Sequence, residues 1–406
     1  MFKVRYSYGK VGNDNVGTRF PYLYSIADNY KENDQTKYYA GYNWATYGSN
    51  KSYNGLRYTK LASNDITWEI ATKSDLGIDM ALFNDKFTAT IDYFDESRSG
   101  IYMERAFLPG MVGLDGNKPY ANVGEVNSKG FDGNFSYKQK ISDVKFTVRG
   151  NITYSQNTIL EKDEENNVYP YQMERDYRVN QAKGLIALGL FKDYDDIRNS
   201  PKQEFGTVQP GDIKYKDVNG DGVVNDGDKV AIGATTKPNM IYGFGISASW
   251  KGLDVNVHFQ GAGKTSFFIE GATVHAFSAG EWGNILSDVA NSNRWIDHEI
   301  SGTMATENPN ASYPRLSYGG NSNNYRQSTF WLRNGSYLRL KTLELGYSIP
   351  KPLVNKIRFN NIRLFLRGSN LLTFSSFKLW DPELGSSTGT EYPLAKSLTL
   401  GLSVNL

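Results

Sequence analysis

The amino-acid sequence predicts an all-β protein whose strands pair in an antiparallel arrangement. Its 406 residues include 28 Tyr, 21 Phe and 40 Gly, a content typical of many strands joined by turns. Several segments alternate between apolar and polar residues, which is the period of a strand with two different faces. The mean hydropathy is −0.52 and the sequence has no long apolar run, so a transmembrane helix is excluded. Strands that are only half apolar can still cross a membrane.

The clearest alternating segment is the last one. Every second residue is apolar, and these residues would share one face of a strand: Leu398, Leu400, Leu402 and Val404. We expect this face to meet lipid. Residues 242–250 and 253–259 alternate in the same way, and only Lys251 and Gly252 separate them. A two-residue connection of this kind predicts a β-hairpin.

Residues 87–93 and 146–154 show the same pattern. Segments of roughly ten residues, apolar on one face and polar on the other, are typical of a transmembrane β-barrel with a wet lumen. A soluble β-sandwich would alternate equally, because its apolar face packs inward. Tight turns that alternate with long polar segments, at 157–238 and 261–330, favour the barrel and predict long extracellular loops.

Charge and missing motifs exclude other classes of protein. The 45 basic and 43 acidic residues give a net charge of +2, so no strong field attracts nucleic acid. The absence of Cys excludes disulfides and cysteine-based zinc sites. No nucleophile or phosphate-loop motif occurs, and His258, His275 and His298 lack the spacing of paired metal ligands. We therefore predict that the chain is not an enzyme.

Eight segments follow one another in an order typical of one family. The first three are KVRYSYGKVGNDNVGTRFPYL near the start, NDITWEIATKSDLGIDMALFNDKFTATIDYF at 64–94 and NVGEVNSKGFDGNFSYK at 122–138. The middle two are PGDIKYKDVNGDGVVNDGDKVAIG at 210–233 and YGFGISASWKGLDVNVHFQGAGK at 242–264. The last three are ENPNASYPRL at 307–316, STFWLRNGSYLRLKTLELGYSIPK at 328–351 and IRLFLRGSNLLTFSSFKLWDPELG at 362–385. Over nearly its whole length the chain resembles SusC/RagA-type TonB-dependent transporters.

This resemblance implies that residues 1–406 are the C-terminal part of a barrel with about 22 strands. The plug domain, the TonB-contacting segment and the signal peptide of that family have no counterpart in the chain. We count about twelve to fourteen candidate strands. A partial barrel would have two open edges, which a bilayer does not tolerate. We therefore expect a preceding segment or a companion chain to complete the barrel.

The resemblance also implies a function and a location. The function would be TonB-dependent import of a bulky solute, a glycan or oligosaccharide or else a peptide, across the outer membrane of a Gram-negative bacterium. The implied partners are a SusD-like surface lipoprotein, the TonB complex acting through the N-terminal part, the solute and the lipid bilayer. The alternatives are a passive outer-membrane porin, which needs a closed and even set of strands, and a secreted glycan-binding β-sandwich.

The sharpest local motif is an acidic turn of twelve residues. Oxygen-bearing side chains stand at positions 1, 3, 5, 9 and 12, and a glycine stands at position 6: Asp217, Asn219, Asp221, Asn225 and Asp228, with Gly222. With the Val223 carbonyl they would suit a structural Ca²⁺, which takes roughly six to eight oxygens. Asp228 stands where the helix-flanked form of the motif has Glu, which shortens its reach. An ordinary Asx-rich turn without an ion is the alternative.

Loop aromatic residues are candidates for binding the solute. Tyr313, Tyr318 and Tyr325 lie in the polar segments, and a flat ring can cover the apolar face of a sugar. Strand aromatics such as Tyr242 and Trp250 better fit the aromatic belts at the two membrane interfaces. For the three loop tyrosines, the belt and the solute platform both stay open. No cofactor other than the Ca²⁺ is expected.

Overall fold

One antiparallel sheet is the framework of the computed structural model, which describes residues 1–15, 17, 20–28, 42–46, 49–53, 56–106, 118–165, 167, 169–278, 285–291, 293–354 and 359–405. The sheet has ten strands in chain order: β1 Phe2–Asn13, β2 Glu69–Leu82, β3 Phe87–Glu104, β4 Tyr120–Ile141, β5 Val144–Glu161, β6 Met240–Trp250, β7 Leu253–Gly263, β8 Tyr337–Ser348, β9 Asn361–Ser375 and β10 Ser397–Asn405. Each strand pairs with the next one along the chain. This arrangement confirms the predicted all-β antiparallel fold.

Shorter elements occupy the connections between these strands. The short strands pair as Ser25–Asp28 with Leu56–Lys60, Tyr42–Thr46 with Ser49–Tyr53, Lys183–Gly184 with Val230–Ala231, Ala187–Leu190 with Ile213–Tyr215, Lys202–Gln203 with Val223–Val224, and Ser266–Phe268 with Leu332–Asn334. The α-helices are α1 Tyr194–Arg198, α2 Ser287–Asn291, α3 His298–Ser301 and α4 Lys351–Val354, and the 3-10 turns are Pro170–Gln172, Asp226–Asp228, Met304–Thr306 and Pro382–Leu384. Among the residues that the structure describes, no helix has the length and hydropathy needed to span a membrane.

The predicted hairpin between β6 and β7 is present. Lys251 and Gly252 form its turn with φ angles of 45° and 92°, which suits the tight turns that join antiparallel strands. The connections 83–86 and 142–143 are also short and lie at the same end of the sheet. The connections at the other end include 162–239 and 264–336, so the predicted asymmetry of turns and loops is confirmed.

The two faces of the sheet differ in chemistry. On one face Leu398 and Leu400 are 71% and 72% exposed, as expected for side chains that meet lipid. On the other face the Arg5 guanidinium lies 2.8 Å from both Asp79 and Asp92. Charges of this kind are costly in hydrocarbon. The charged face is therefore the lumen side of the wall, and the apolar face is the lipid side.

A second charge cluster on the lumen side lies across β7, β8 and β9. Arg363 binds both Asp254 and Glu344, and its Nη2 lies 2.6 Å from the Glu344 carboxylate. Gly346 gives these side chains their space, because a Cβ there would lie 2.6 Å from the Asp254 carboxylate. The glycine therefore lets the guanidinium lie flat against the wall.

We predict that Leu400→Arg destabilises the wall. In β10 this residue pairs with Leu366 on the lipid side, so the substitution would place a cation in hydrocarbon. The expected cost is about 2–4 kcal/mol for a position near the bilayer midplane, measured by urea unfolding from lipid vesicles. Ser397→Arg on the opposite face is the control and should cost less. Equal costs for both variants would contradict the assignment of the two faces.

Candidate functional site

The long connections at one end of the sheet pack into a single body, which we call the loop lobe. It consists of described residues from 162–239, 264–336 and 376–396. Its core is apolar and buried: Leu185, Leu190, Phe205, Ile213, Tyr215, Val224, Phe267, Ile269, Val274, Val289, Trp295, Ala311, Tyr313, Trp331 and Phe377. The sequence predicted long polar loops here, whereas the structure shows a packed domain-like core. The apolar residues follow no regular period, which is why periodicity did not reveal them.

A fully buried carboxylate, that of Asp212, lies inside the lobe. It accepts hydrogen bonds from the side-chain amides of Asn321 and Asn324, at 3.0 and 2.9 Å, and from the Gln209 backbone N–H at 2.8 Å. The Arg315 guanidinium lies 2.7 Å from the same carboxylate. These partners replace the water that burial removes. Because they come from both long connections, the carboxylate joins the two segments.

Further amide side chains extend this network. The Gln203 amide donates to Asn323 Oδ1 at 2.6 Å and accepts from the Tyr215 backbone N–H at 2.6 Å. Asn323 in turn donates to the Ile213 carbonyl at 3.0 Å, and the Tyr215 hydroxyl donates to the Asn323 carbonyl at 2.8 Å. Burial raises the pKa of the Tyr215 hydroxyl, which therefore stays protonated as a donor. The lobe thus has a polar frame beside its apolar core.

The lobe is attached to the lumen side of the wall through Arg339 on β8. This side chain is 1% exposed and binds the carboxylates of Asp381 and Glu383, the latter at 3.5 Å. Its neighbours Leu338 and Leu340 pair with the apolar residues of β9, so alternation places Arg339 on the opposite face. The connection 376–396 is therefore held over the lumen side.

The predicted calcium ligands lie along one turn on the lobe, but the carboxylates of Asp217, Asp221 and Asp228 do not come within 4.8 Å of one another as a group of three. The two Asp217 carboxylate oxygens accept from the backbone N–H groups of Gly220 and Gly222, at 2.7 and 2.8 Å. The Asp221 carboxylate accepts from the Val223 N–H at 2.8 Å. Asn219 Oδ1 accepts from the Asp221 N–H at 3.0 Å. These Asx-type bonds shape the exposed half of the turn.

The other half of the turn is closed by Asp228, whose carboxylate is fully buried. It accepts from the Val218 N–H at 2.7 Å and from the Asn225 N–H at 2.8 Å. Asn225 Oδ1 accepts from the Gly227 N–H at 2.7 Å and completes a capping box. The turn therefore holds its shape through backbone donors, and calcium binding by Asp217, Asn219, Asp221, Val223, Asn225 and Asp228 stays a prediction.

A different acidic group lies beside α3. Asp297, His298 and Glu307 have ligand atoms within 4.8 Å of one another, and no other such group of three occurs in the part of the chain described by the structure. His298 Nδ1 lies 2.5 Å from the Glu307 carboxylate. This hydrogen bond raises the pKa of His298, and backbone and side-chain hydrogen bonds from His298 lower that of Glu307. The spacing of residues in the sequence gave no signal for this group, because Glu307 lies nine positions from His298.

The three loop tyrosines occupy different environments. Tyr313 is 6% exposed inside the core, whereas Tyr318 is 72% exposed. Tyr325 stacks on the buried His275 ring, with centroids 4.1 Å apart, and burial lowers the pKa of His275 to about 4. Tyr313 and Tyr325 line one small cavity, and Tyr318 is not part of its lining. The predicted substrate-binding tyrosines therefore form no common platform: Tyr313 is buried, Tyr325 is partly buried and Tyr318 is exposed.

No family model matches the chain. Known proteins similar to it in sequence or structure match it over nearly its whole length. TonB-dependent receptor P26 of Formosa agariphila is 27% identical over 435 residues, which cover 99% of this chain and 39% of that protein. TonB-dependent receptor SusC of Bacteroides thetaiotaomicron is 22% identical over 416 residues, covering 99% and 37%. The solved RagAB peptide transporter superposes with a TM-score of 0.71 at 20% identity, covering 100% and 41%. The chain thus spans about two fifths of these relatives.

The fold and the comparisons together define the class of protein. A sheet with a lipid side, a charged lumen side and long connections at one end is part of the wall of a transmembrane β-barrel, and the RagAB superposition supports this fold. Within that class the chain is a relative of the SusC-type TonB-dependent transporters, as its motifs predicted. These relatives are outer-membrane receptors and transporters of Gram-negative bacteria, not enzymes.

We predict that Asp212→Asn loosens the loop lobe. The substitution keeps the shape but removes the charge that compensates Arg315, and breaking a buried ion pair costs about 3–5 kcal/mol. Hydrogen exchange of the lobe amides should become faster, while exchange of the wall strands stays slow. Asp195→Asn removes a solvent-exposed partner of Arg198 and serves as the control. Unchanged lobe exchange in Asp212→Asn would show that the carboxylate is not its support.

We predict that the acidic turn binds Ca²⁺ and that Asp221→Ala abolishes binding. Three carboxylates in one short turn repel one another, and a bound cation relieves this repulsion. Calcium titration by calorimetry in detergent should give heat for the parent protein and none for the variant. Equal heats from both proteins, or no heat from either, would identify an ordinary acidic turn.

Proposed function

We propose that the chain forms part of an outer-membrane transporter that imports a bulky solute, an oligosaccharide or a peptide, with energy from the TonB complex. The observation that supports this proposal most is the position of the loop lobe. Arg339 and its two acidic partners hold the lobe over the lumen side of the wall. A rigid body at the mouth of a lumen is well placed to receive a solute from outside.

We further propose that residues 1–406 are the C-terminal part of a 22-stranded barrel. In the described structure, the edge strands β1 and β10 each pair on one side only. Unpaired backbone groups at these edges would be costly in a bilayer. A preceding segment or a companion chain would supply the remaining strands, the plug domain and the TonB-contacting segment. The share of 39% in the receptor P26 agrees with this arrangement.

A surface lipoprotein of the SusD type is the proposed partner at the lobe. The lobe exposes large apolar side chains around α3, where Ile300 is 81% and Met304 is 67% exposed. Exposed apolar groups that lie close together are typical of surfaces that contact a second protein. The RagAB relative is named as a peptide transporter, which supports a peptide as one of the two proposed solutes.

The test of this function is uptake by intact cells. We expect cells that produce the protein to accumulate fluorescent oligosaccharides or peptides, and cells lacking it to lose this uptake. A protonophore should abolish accumulation, because the TonB complex draws on the proton gradient of the inner membrane. Uptake that persists with the protonophore would identify a passive porin instead. Recovery of the protein in a detergent-free soluble fraction would identify a secreted β-sandwich.

A further inference from the structure

A cation-rich groove lies on the loop lobe beside the segment 376–379. Its volume is about 570 Å³, and Arg333 and Lys378 are the charged residues of its lining. Two amide and three hydroxyl side chains also line it: Asn293, Asn334, Ser312, Tyr313 and Ser376. Among the described residues, no acidic side chain contributes to this lining. The groove therefore combines positive charge with groups that bind oxygen-rich solutes.

Two backbone carbonyls hold the Arg333 guanidinium in place. Its Nη1 donates to the Phe330 carbonyl at 2.7 Å and to the Leu332 carbonyl at 3.2 Å. Within the described residues, its Nε and Nη2 donors make no hydrogen bond. These two donors form the edge that binds both oxygens of a carboxylate in parallel. The side chain thus has two donors available to a carboxylate.

The positive charges of the groove have no acidic partner in the part of the chain that the structure covers. Asp381 and Glu383, the acidic residues nearest to Lys378 in the sequence, bind Arg339 instead. Burial lowers the pKa of Arg333, because its guanidinium is partly removed from water. A bound anion would offset this cost. Both cations of the groove are therefore available to an anionic ligand.

We propose that this groove is a solute subsite for a carboxylate group, gripped by the Nε and Nη2 edge of Arg333 and attracted by Lys378. The solute belongs to the import function proposed above, so the subsite rests on that function and narrows the solute to an anionic one. The amide and hydroxyl groups of the lining bind the polar groups that flank the carboxylate.

Calorimetry on the protein purified from outer membranes in detergent tests this subsite. The probes are trigalacturonate with its neutral methyl ester, and triglutamate with neutral triglutamine. We expect at least one acidic probe to bind about 10-fold or more tightly than its neutral counterpart, since hydrogen bonds to charged groups contribute about 1.5–3 kcal/mol. Added salt should weaken this preference. The acidic probe that binds more tightly shows whether the solute is an acidic sugar or an acidic peptide. Preferential binding of either acidic probe supports the carboxylate subsite.

Variants assign the binding to the two cations. Arg333→Gln and Lys378→Gln should each weaken the acidic probe by about 10-fold. Arg333→Lys keeps the charge without the parallel donors. Its affinity for the acidic probe should lie between those of the parent protein and Arg333→Gln. Lys378 is exposed, so Lys378→Gln tests the subsite even where an Arg333 variant fails to fold. Lys192→Gln, an exposed lysine elsewhere on the lobe, should bind like the parent.

Two results would overturn the subsite: equal affinity for acidic and neutral probes, or parental affinity in both Arg333→Gln and Lys378→Gln. Failure of the subsite and failure of the import function remain distinguishable. Protonophore-sensitive uptake with unchanged binding in the variants rejects the subsite alone. Carboxylate-dependent binding without such uptake rejects the import function and supports the groove.

Discussion

The loop lobe depends on one buried charge, the carboxylate of Asp212. Burying an ionised carboxylate is unfavourable unless it is paired and hydrogen-bonded. Its partners Arg315, Asn321 and Asn324 come from the connection 264–336, whereas Asp212 belongs to 162–239. Satisfying this charge therefore fixes the two connections relative to each other. The surrounding apolar core alone would tolerate several packings, and the directional bonds select one of them.

The ion pairs of Arg339 attach the lobe to the wall. Arg339 belongs to the framework sheet, and Asp381 and Glu383 belong to the lobe. Its burial at 1% exposure makes the pairing obligatory, since an unpaired guanidinium there would lose its hydration. The lobe consequently lies over the lumen side and does not extend freely into solvent. The wall provides rigidity, and the lobe provides the surface chemistry that a solute meets.

The sequence predicted the wall far better than the lobe, for a physical reason. Wall strands face lipid on one side and water on the other, so residues such as those around Leu400 must alternate. Lobe residues obey no such period, because Asp212 meets Asn324 across 112 positions. Alternation predicted about twelve to fourteen strands; among the described residues ten strands form the framework sheet, and the other strands pair in short two-stranded sheets. The local sequence around a loop aromatic such as Tyr313 does not show whether its ring is buried or exposed.

The anchor of the lobe and its cation-rich groove share one segment. Lys378 precedes Asp381 by three residues, and Phe377 between the groove and the core packs against Phe267 with ring centroids 5.1 Å apart. A solute carboxylate at Lys378 would therefore contact a segment that Arg339 holds on the wall. Asp381 and Glu383, the acidic residues nearest to Lys378 in the sequence, bind Arg339 in this anchor and form no ion pair with Lys378. The two ion pairs of Arg339 thus hold the segment that lines the groove.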